Sequence, residues 1–208
     1  MLPFADGAIL GPQPALLGID VPGPAARDDL VGLPRCPIHA LTAYASSEEE
    51  AACRDAVEAL RADTLDGGPA LFVTAPWAED GKLYNAILAL DKGEILGKRY
   101  KVDLPNYGVF DDKRVFSPGP MPGPLVFRGV RIGVPICEDV WTPDVVECIS
   151  ETGGEILLVP NASPFERDKH AQRDALLAQR VAETRVGGLG TALAYLNMVG
   201  GQDALVFD

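Results

Sequence analysis

The chain has 208 residues, 47% of them hydrophobic and 23% charged, enough for one large domain or a tight pair of lobes and too apolar for global disorder. Its formal net charge is −12 and no basic stripe runs along any expected helix, so nucleic acid and anionic membranes are poor partners. No apolar run approaches the ~18 residues of a transmembrane helix, and the N-terminus lacks the basic stretch before an apolar core that marks a secretory signal.

Residues 1–46 are dense in Pro and Gly and show no clear period, so they read as an irregular segment with at most a short strand near Leu30–Leu33. Ser47 with Glu50 three residues later has the form of a capping box. Cys53, Val57 and Leu60 then recur at helical spacing, and Gly67-Gly68 ends the region. "PALFVTAP" (69–76) and "LYNAILALD" (83–91) have strand length, and "KG" turns the second into "EILGKRYK". "LVFRGVRIGVPIC" reads as a hairpin whose second arm delivers Cys137. Thr142-Pro143-Asp144 is a strong helix start, and Gly153-Gly154 stops that helix. "EILLVPNAS" is a buried strand. Ser163 and Glu166 form a second capping box for a long helix to about Arg185, and "TALAYLNMV" and "ALVF" are the last strands. Strands and helices alternate and several strands are apolar on both faces, which is α/β composition with a helix-covered sheet.

The four cysteines, Cys36, Cys53, Cys137 and Cys148, include no C-x-x-C pair, and the only histidines are His39 and His170. That spacing suggests no metal site, and the thiols are expected reduced in a cytoplasmic protein. Cys53 and Cys148 fall on apolar helical faces and read as core. Cys137 differs: it sits at a strand's C-terminal end, where α/β sheets carry functional groups, and Glu138, Asp139 and Trp141 follow it. Neighbouring anions raise a thiol's pKa, so a nucleophilic Cys137 needs a cation beside it. The stretch 97–116 supplies Lys98, Arg99, Lys101, Lys113 and Arg114 around "LPNYG", a turn cluster suited to a binding loop.

Four stretches, "KLYNAILALDKGEILGKRYKVDLPNYGVFDDKRVF", "GVRIGVPICEDVWTPDV", "GGEILLVPNASPFERDKHAQR" and "NMVGGQDALVFD", resemble the glutamine-hydrolysing domain of glutamine-dependent NAD synthetases. That domain belongs to the nitrilase, or carbon-nitrogen hydrolase, superfamily. The resemblance covers roughly residues 50–208 and implies a four-layer α-β-β-α sandwich, incomplete at both ends. It divides the chain into an atypical segment, 1–46, and a glutaminase domain, 47–208, truncated at its C-terminus, with the NAD-forming domain absent. It implies Cys137 as nucleophile and Lys101 as its catalytic lysine. Tyr107, Glu138, Ser163 and Tyr44 are carried over to the substrate pocket, Ser163 having the helix cap as an equal alternative. The implied reaction releases ammonia from glutamine through a cysteine thioester, for use by an ATP-dependent NAD-forming domain. No cofactor or metal is expected in this chain, the substrate is glutamine or another small amide, and a homo-oligomer is expected.

One part of the pattern does not fit. The family's catalytic glutamate precedes a segment like "LTGY", and the nearest stretch here is "CPIHALTAY" (36–44). Its glutamate position then falls on Ile38, or on Arg35 if Pro34 is aligned instead, and neither can move a proton. His39 and Glu48–Glu50 are the neighbouring titratable groups. Two other readings stay open on this ground: an amidase for a different amide, and a catalytically inactive remnant.

Overall fold

The computed structural model describes residues 16–18, 47–185, 191–202 and 205–207. The strand expected near Leu30–Leu33, and Cys36, Ile38, His39 and Tyr44, lie outside the described residues.

A first sheet of four antiparallel strands runs in the order β1 (Leu16–Gly18), β2 (Leu71–Glu79), β3 (Lys82–Asp91), β4 (Glu94–Tyr100). Helix α1 (Ser47–Asp63) precedes β2 and packs on it. Glu50 of α1 accepts from Arg54 at 2.8 Å and from the Ala78 N–H of β2 at 3.3 Å, tying helix to strand. The two hairpin loops of this sheet are the residue pairs Asp80-Gly81 and Lys92-Gly93, all four with positive φ. Two-residue loops of that shape match the twist of the flanking strands, and glycine at the second position removes half the steric cost.

A short helix α2 (Asp112–Val115) leads to the second sheet, ordered β5 (Leu125–Phe127), β6 (Val130–Gly133), β7 (Ile156–Asn161), β8 (Ala192–Asn197). The β5–β6 pair is the expected hairpin, whereas β6–β7 and β7–β8 are parallel. Helix α3 (Pro143–Glu151) makes the β6-to-β7 crossover and α4 (Lys169–Thr184) precedes β8. A small antiparallel ribbon, β9 (Gly200–Gln202) with β10 (Leu205–Phe207), follows. Among the described residues no helix is long and apolar enough to cross a membrane.

Three apolar clusters reveal the layers. Val57 and Leu60 of α1 meet one face of the first sheet, including Val73, Ala86, Leu88 and Leu90. The other face, with Phe72, Ile87 and Ala89, meets Leu125, Phe127, Ile132 and Leu158 of the second sheet. The far side of that sheet, with Leu157 and Val159, is covered by Val145, Val146 and Ile149 of α3 and by Leu176 and Leu177 of α4. The order is α-β-β-α, as the resemblance implies. The central strand β3 is buried along most of its length because it has a layer on each side.

Three local expectations are corrected. Strand β6 ends at Gly133, so Cys137 is not its last residue: Val134–Ile136 continue without strand pairing and Cys137 opens a 3-10 turn, Cys137–Val140. Ser163 is not a helix cap, because α4 starts at Lys169. The Ser163 N–H donates to Asn197 Oδ1 at 3.0 Å and its carbonyl accepts from Asn197 Nδ2 at 3.2 Å, while Pro164 bridges to Phe207. Those partners hold the segment extended against β8 and β10. Cys53, buried on α1 as expected, is disulfide-bonded and not a reduced thiol; Cys137 and Cys148 are free.

Phe72 is fully buried at the centre of the sheet-to-sheet core, edge-on to Phe127 at 5.6 Å. Phe72→Ala removes the ring and leaves a cavity between the two sheets. Chemical denaturation is expected to register a loss of about 3–5 kcal/mol; a loss below about 1 kcal/mol would contradict this packing.

Candidate active site

The parallel strands β6 and β7 point their C-terminal ends the same way, and the end of β4 in the other sheet arrives at the same place. Lys101 follows β4 directly, and its N–H donates to the Asn85 carbonyl of β3 at 2.8 Å. Its carbonyl accepts from the Gly119 N–H at 2.8 Å. With N–H and C=O both fixed, the side chain leaves a rigid backbone and runs inward, only 2% exposed.

A buried ammonium needs a counter-charge. Lys101 Nζ donates to Asp112 Oδ2 at 2.6 Å, and Asp112, the first residue of α2, is itself buried. The other oxygen, Asp112 Oδ1, is buried without a hydrogen-bond partner among the described residues. Burial works against the charge on Lys101, but the Cys137 thiolate and the Asp112 and Asp139 carboxylates outweigh it, and the ammonium is held above the usual lysine range.

Cys137 is half-buried where the sheet-to-sheet core reaches the surface. Its φ is +51°, a region that non-glycine residues rarely occupy, and there the turn departs sharply from the chain leaving β6. Burial pushes the thiol up. Lys101 and the Ala162 N–H, which donates to the sulfur, oppose that, while Glu138 and Asp112 add to it, and the net direction is upward. Ala162 immediately follows β7, so the second sheet supplies both the thiol and a backbone donor to it.

The two acids after Cys137 face different ways. Glu138 is half-buried at the rim and accepts from the Tyr107 hydroxyl on both oxygens, at 2.8 and 2.9 Å. Tyr107 is 57% exposed on the "LPNYG" loop and lies edge-on to Phe110. Desolvation and the Glu138 carboxylate hold its phenol above the ordinary range. Asp139 is buried and accepts from three backbone N–H groups, those of Val102, Asp103 and Ile136. Burial outweighs those bonds and raises its carboxyl to about 6.

Of the residues carried over from the resemblance, Cys137, Lys101, Glu138 and Tyr107 gather in one place; Tyr107 and Lys101 each interact electrostatically with Cys137. Ser163 is buried one residue beyond Ala162, its backbone bound to Asn197. Tyr44 lies outside the described residues. Trp141 is half-buried, packs on the α3/α4 side of the second sheet, and has the Lys169 ammonium 4.9 Å over its ring. Asp112 and the Ala162 N–H were not legible as site groups. The one signal for Asp112 was an acid set among lysines and arginines within "FDDKRVF".

The fold and the thiol–ammonium–carboxylate cluster at the sheets' common end place the chain in a class: a four-layer α/β sandwich with the chemical groups for attack on a carbonyl. The carbon-nitrogen hydrolase family model matches residues 29–202, and the chain belongs to that family. The match begins ahead of the boundary expected at residue 47. A glutamine-dependent NAD(+) synthetase of Rhodobacter capsulatus is 42% identical over 192 residues, 89% of this chain and 33% of the relative. The glutamine-dependent NAD+ synthetase of Acinetobacter baumannii, solved with ADP, has a TM-score of 0.65 at 30% identity over 80% of this chain and 31% of its own. The nitrilase-superfamily amidase of Nesterenkonia sp. AN1 also has a TM-score of 0.65 at 30% identity, over 76% of this chain and 58% of its own. In one of its structures the acetamide moiety of fluoroacetamide is covalently added at the active-site cysteine. The chain spans about a third of the length of the curated synthetase it matches.

Asp112→Ala leaves the Lys101 ammonium buried and unpaired, with an expected loss of about 3–5 kcal/mol in chemical denaturation. The double replacement Lys101→Met with Asp112→Leu is expected to cost less than that single change. A single change within ~1 kcal/mol of wild type would contradict a closed ion pair. Asp139 adds a pH signature. Its folded pKa of about 6 lies above the ordinary 3.8, so the native state holds a proton across that window that the unfolded chain has released. Its contribution to stability is therefore full below 3.8 and lost as pH rises through about 6. Carboxyl-carbon NMR is expected to place the Asp139 midpoint near 6; a midpoint at or below 3.8 would contradict the burial.

Proposed function

We propose that this chain hydrolyses the side-chain amide of glutamine to glutamate and ammonia through a thioester on Cys137, the ammonia serving an ATP-dependent NAD-forming domain. The observation that carries this reading is the buried Lys101 ammonium, fixed by Asp112 and electrostatically coupled to Cys137.

The sulfur of Cys137 attacks the amide carbon and the carbonyl electrons move onto oxygen. Lys101 and backbone N–H groups stabilise that oxyanion, the electrostatic contribution that usually dominates acyl transfer. The carbon–nitrogen bond then breaks, and the nitrogen takes a proton and leaves as ammonia. Water attacks the thioester, the carbon–sulfur bond breaks, and the acid and the thiol are released. Glu138 and Tyr107, joined at the rim, hold the far end of the substrate, and Glu138 there favours a cationic group such as an α-ammonium.

Each half-reaction moves protons, and the thiol's upward direction means that Cys137 gives up its proton only to an acceptor. The position resembling the family's glutamate is Ile38, outside the described residues. Asp112 and Glu138 are the described carboxylates whose charge reaches Cys137.

The similarity to NAD synthetases supports glutamine as substrate and NAD formation as the use of the ammonia. The equal TM-score of the Nesterenkonia amidase supports a second reading, hydrolysis of another small amide. Ammonia release from glutamine, asparagine, acetamide and propionamide separates them. Glutamine is expected to be preferred, and Cys137→Ala to abolish release. A preferred non-glutamine amide would favour the second reading, and equal release by both proteins would refute catalysis by Cys137.

A further inference from the structure

Asp139 has no place in the reaction just described, yet it is 1% exposed and each of its oxygens is occupied. The two oxygens do different things. Oδ2 accepts the Ile136 N–H at 2.9 Å, which closes the 3-10 turn beginning at Cys137. Capping that turn needs nothing more. Oδ1 accepts the N–H of Val102 at 3.0 Å and of Asp103 at 2.8 Å, 37 and 36 residues away in sequence. Those are the two residues after Lys101. One carboxylate thus joins the peptide just before the cysteine to the peptides just after the lysine, across the gap between the two sheets.

A second brace lies beside it: the Thr142 hydroxyl donates to Asp103 Oδ2 at 2.5 Å. The bonds to Lys101's own N–H and C=O lead to Asn85 and Gly119 and do not reach the cysteine's turn. Lys101 and Cys137 therefore belong to different sheets, and the distance between them depends on whatever ties the chain after β4 to the turn after β6.

We propose that Asp139 is a positioning residue whose carboxylate holds Lys101 Nζ against Cys137 Sγ by bridging the two backbones, with the Asp103–Thr142 bond as a second brace. This rests on reading Lys101 and Cys137 as the acyl-transfer pair. A reacting group displaced by about 1 Å loses on the order of 100-fold in rate, so a brace of this kind matters even though it never touches substrate.

The readout is the pH-dependent rate at which iodoacetamide alkylates Cys137, followed on its own peptide by mass spectrometry so that Cys148 is resolved. The groups facing the sulfur are Lys101, Glu138, Asp112, the Tyr107 phenol and the Ala162 N–H. Asp139→Asn and Asp139→Ala are expected to move the profile to higher pH and slow alkylation at pH 8 by roughly tenfold, as the ammonium withdraws. Thr142→Val, which changes no charge, is expected to shift it the same way by about two- to threefold. Ammonia release in the Asp139 variants is expected to fall by about 10- to 100-fold in kcat with KM nearly unchanged. Asp139 variants that retain wild-type circular dichroism and the wild-type alkylation profile would overturn the proposal. If they do not fold, a wild-type profile in Thr142→Val overturns it. Wild-type protein that releases no ammonia would refute the catalytic reading alone, because the alkylation profiles still report whether the brace holds.

Discussion

A lysine ammonium lies almost wholly out of water between two β-sheets, and the rest of the site follows from that. Its charge survives only because Asp112 closes on it and Cys137 and Asp139 lie within electrostatic range. The same arrangement answers why a thiol should sit among acids. Glu138 and Asp112 do oppose its ionisation, but Glu138 is engaged by Tyr107 and Asp112 by Lys101, while Asp139 spends its oxygens on backbone N–H groups. Burial still holds the thiol above its ordinary range, and the positive group and the Ala162 N–H are what oppose it.

The sandwich makes this meeting possible. Neither sheet carries the site alone: the first brings Lys101 to the end of β4, and the second brings the Cys137 turn and Ala162 to the ends of β6 and β7. Face-to-face packing of Phe72, Ile87 and Ala89 on Phe127, Ile132 and Leu158 fixes the sheets relative to one another. At the site end, where that core thins out, polar bonds from Asp139 and Thr142 take over. Apolar burial sets the layers, and a few directed hydrogen bonds tie the turn after β6 to the chain after β4.

Much of the fold was legible because local signals agreed with the tertiary outcome. The periodicity of Cys53, Val57 and Leu60, the two-sided apolar runs of β3 and β7, and the Thr142-Pro143 helix start all appear where the residues put them. The capping box at Ser163 failed because Asn197, 34 residues away, competes for its backbone with bonds that local spacing does not reveal. That Cys137 and Lys101 come together was readable from motif context. Asp112 was not, since it gains meaning only when the chain folds back eleven residues to bury it against Lys101. Asp139 was visible as a charge beside the thiol, but its partners after Lys101 are set by the docking of two sheets.

The chain belongs to the carbon-nitrogen hydrolase family, and it spans about a third of the synthetase relative it matches. The central claim is that sulfur 137 becomes acylated under the influence of ammonium 101. Rapid acid quenching of the protein with glutamine, followed by peptide mass spectrometry, tests it most directly. A glutamyl adduct on the Cys137 peptide that is absent in Lys101→Met is the predicted result; no adduct on Cys137, or an equal adduct without the lysine, would contradict it.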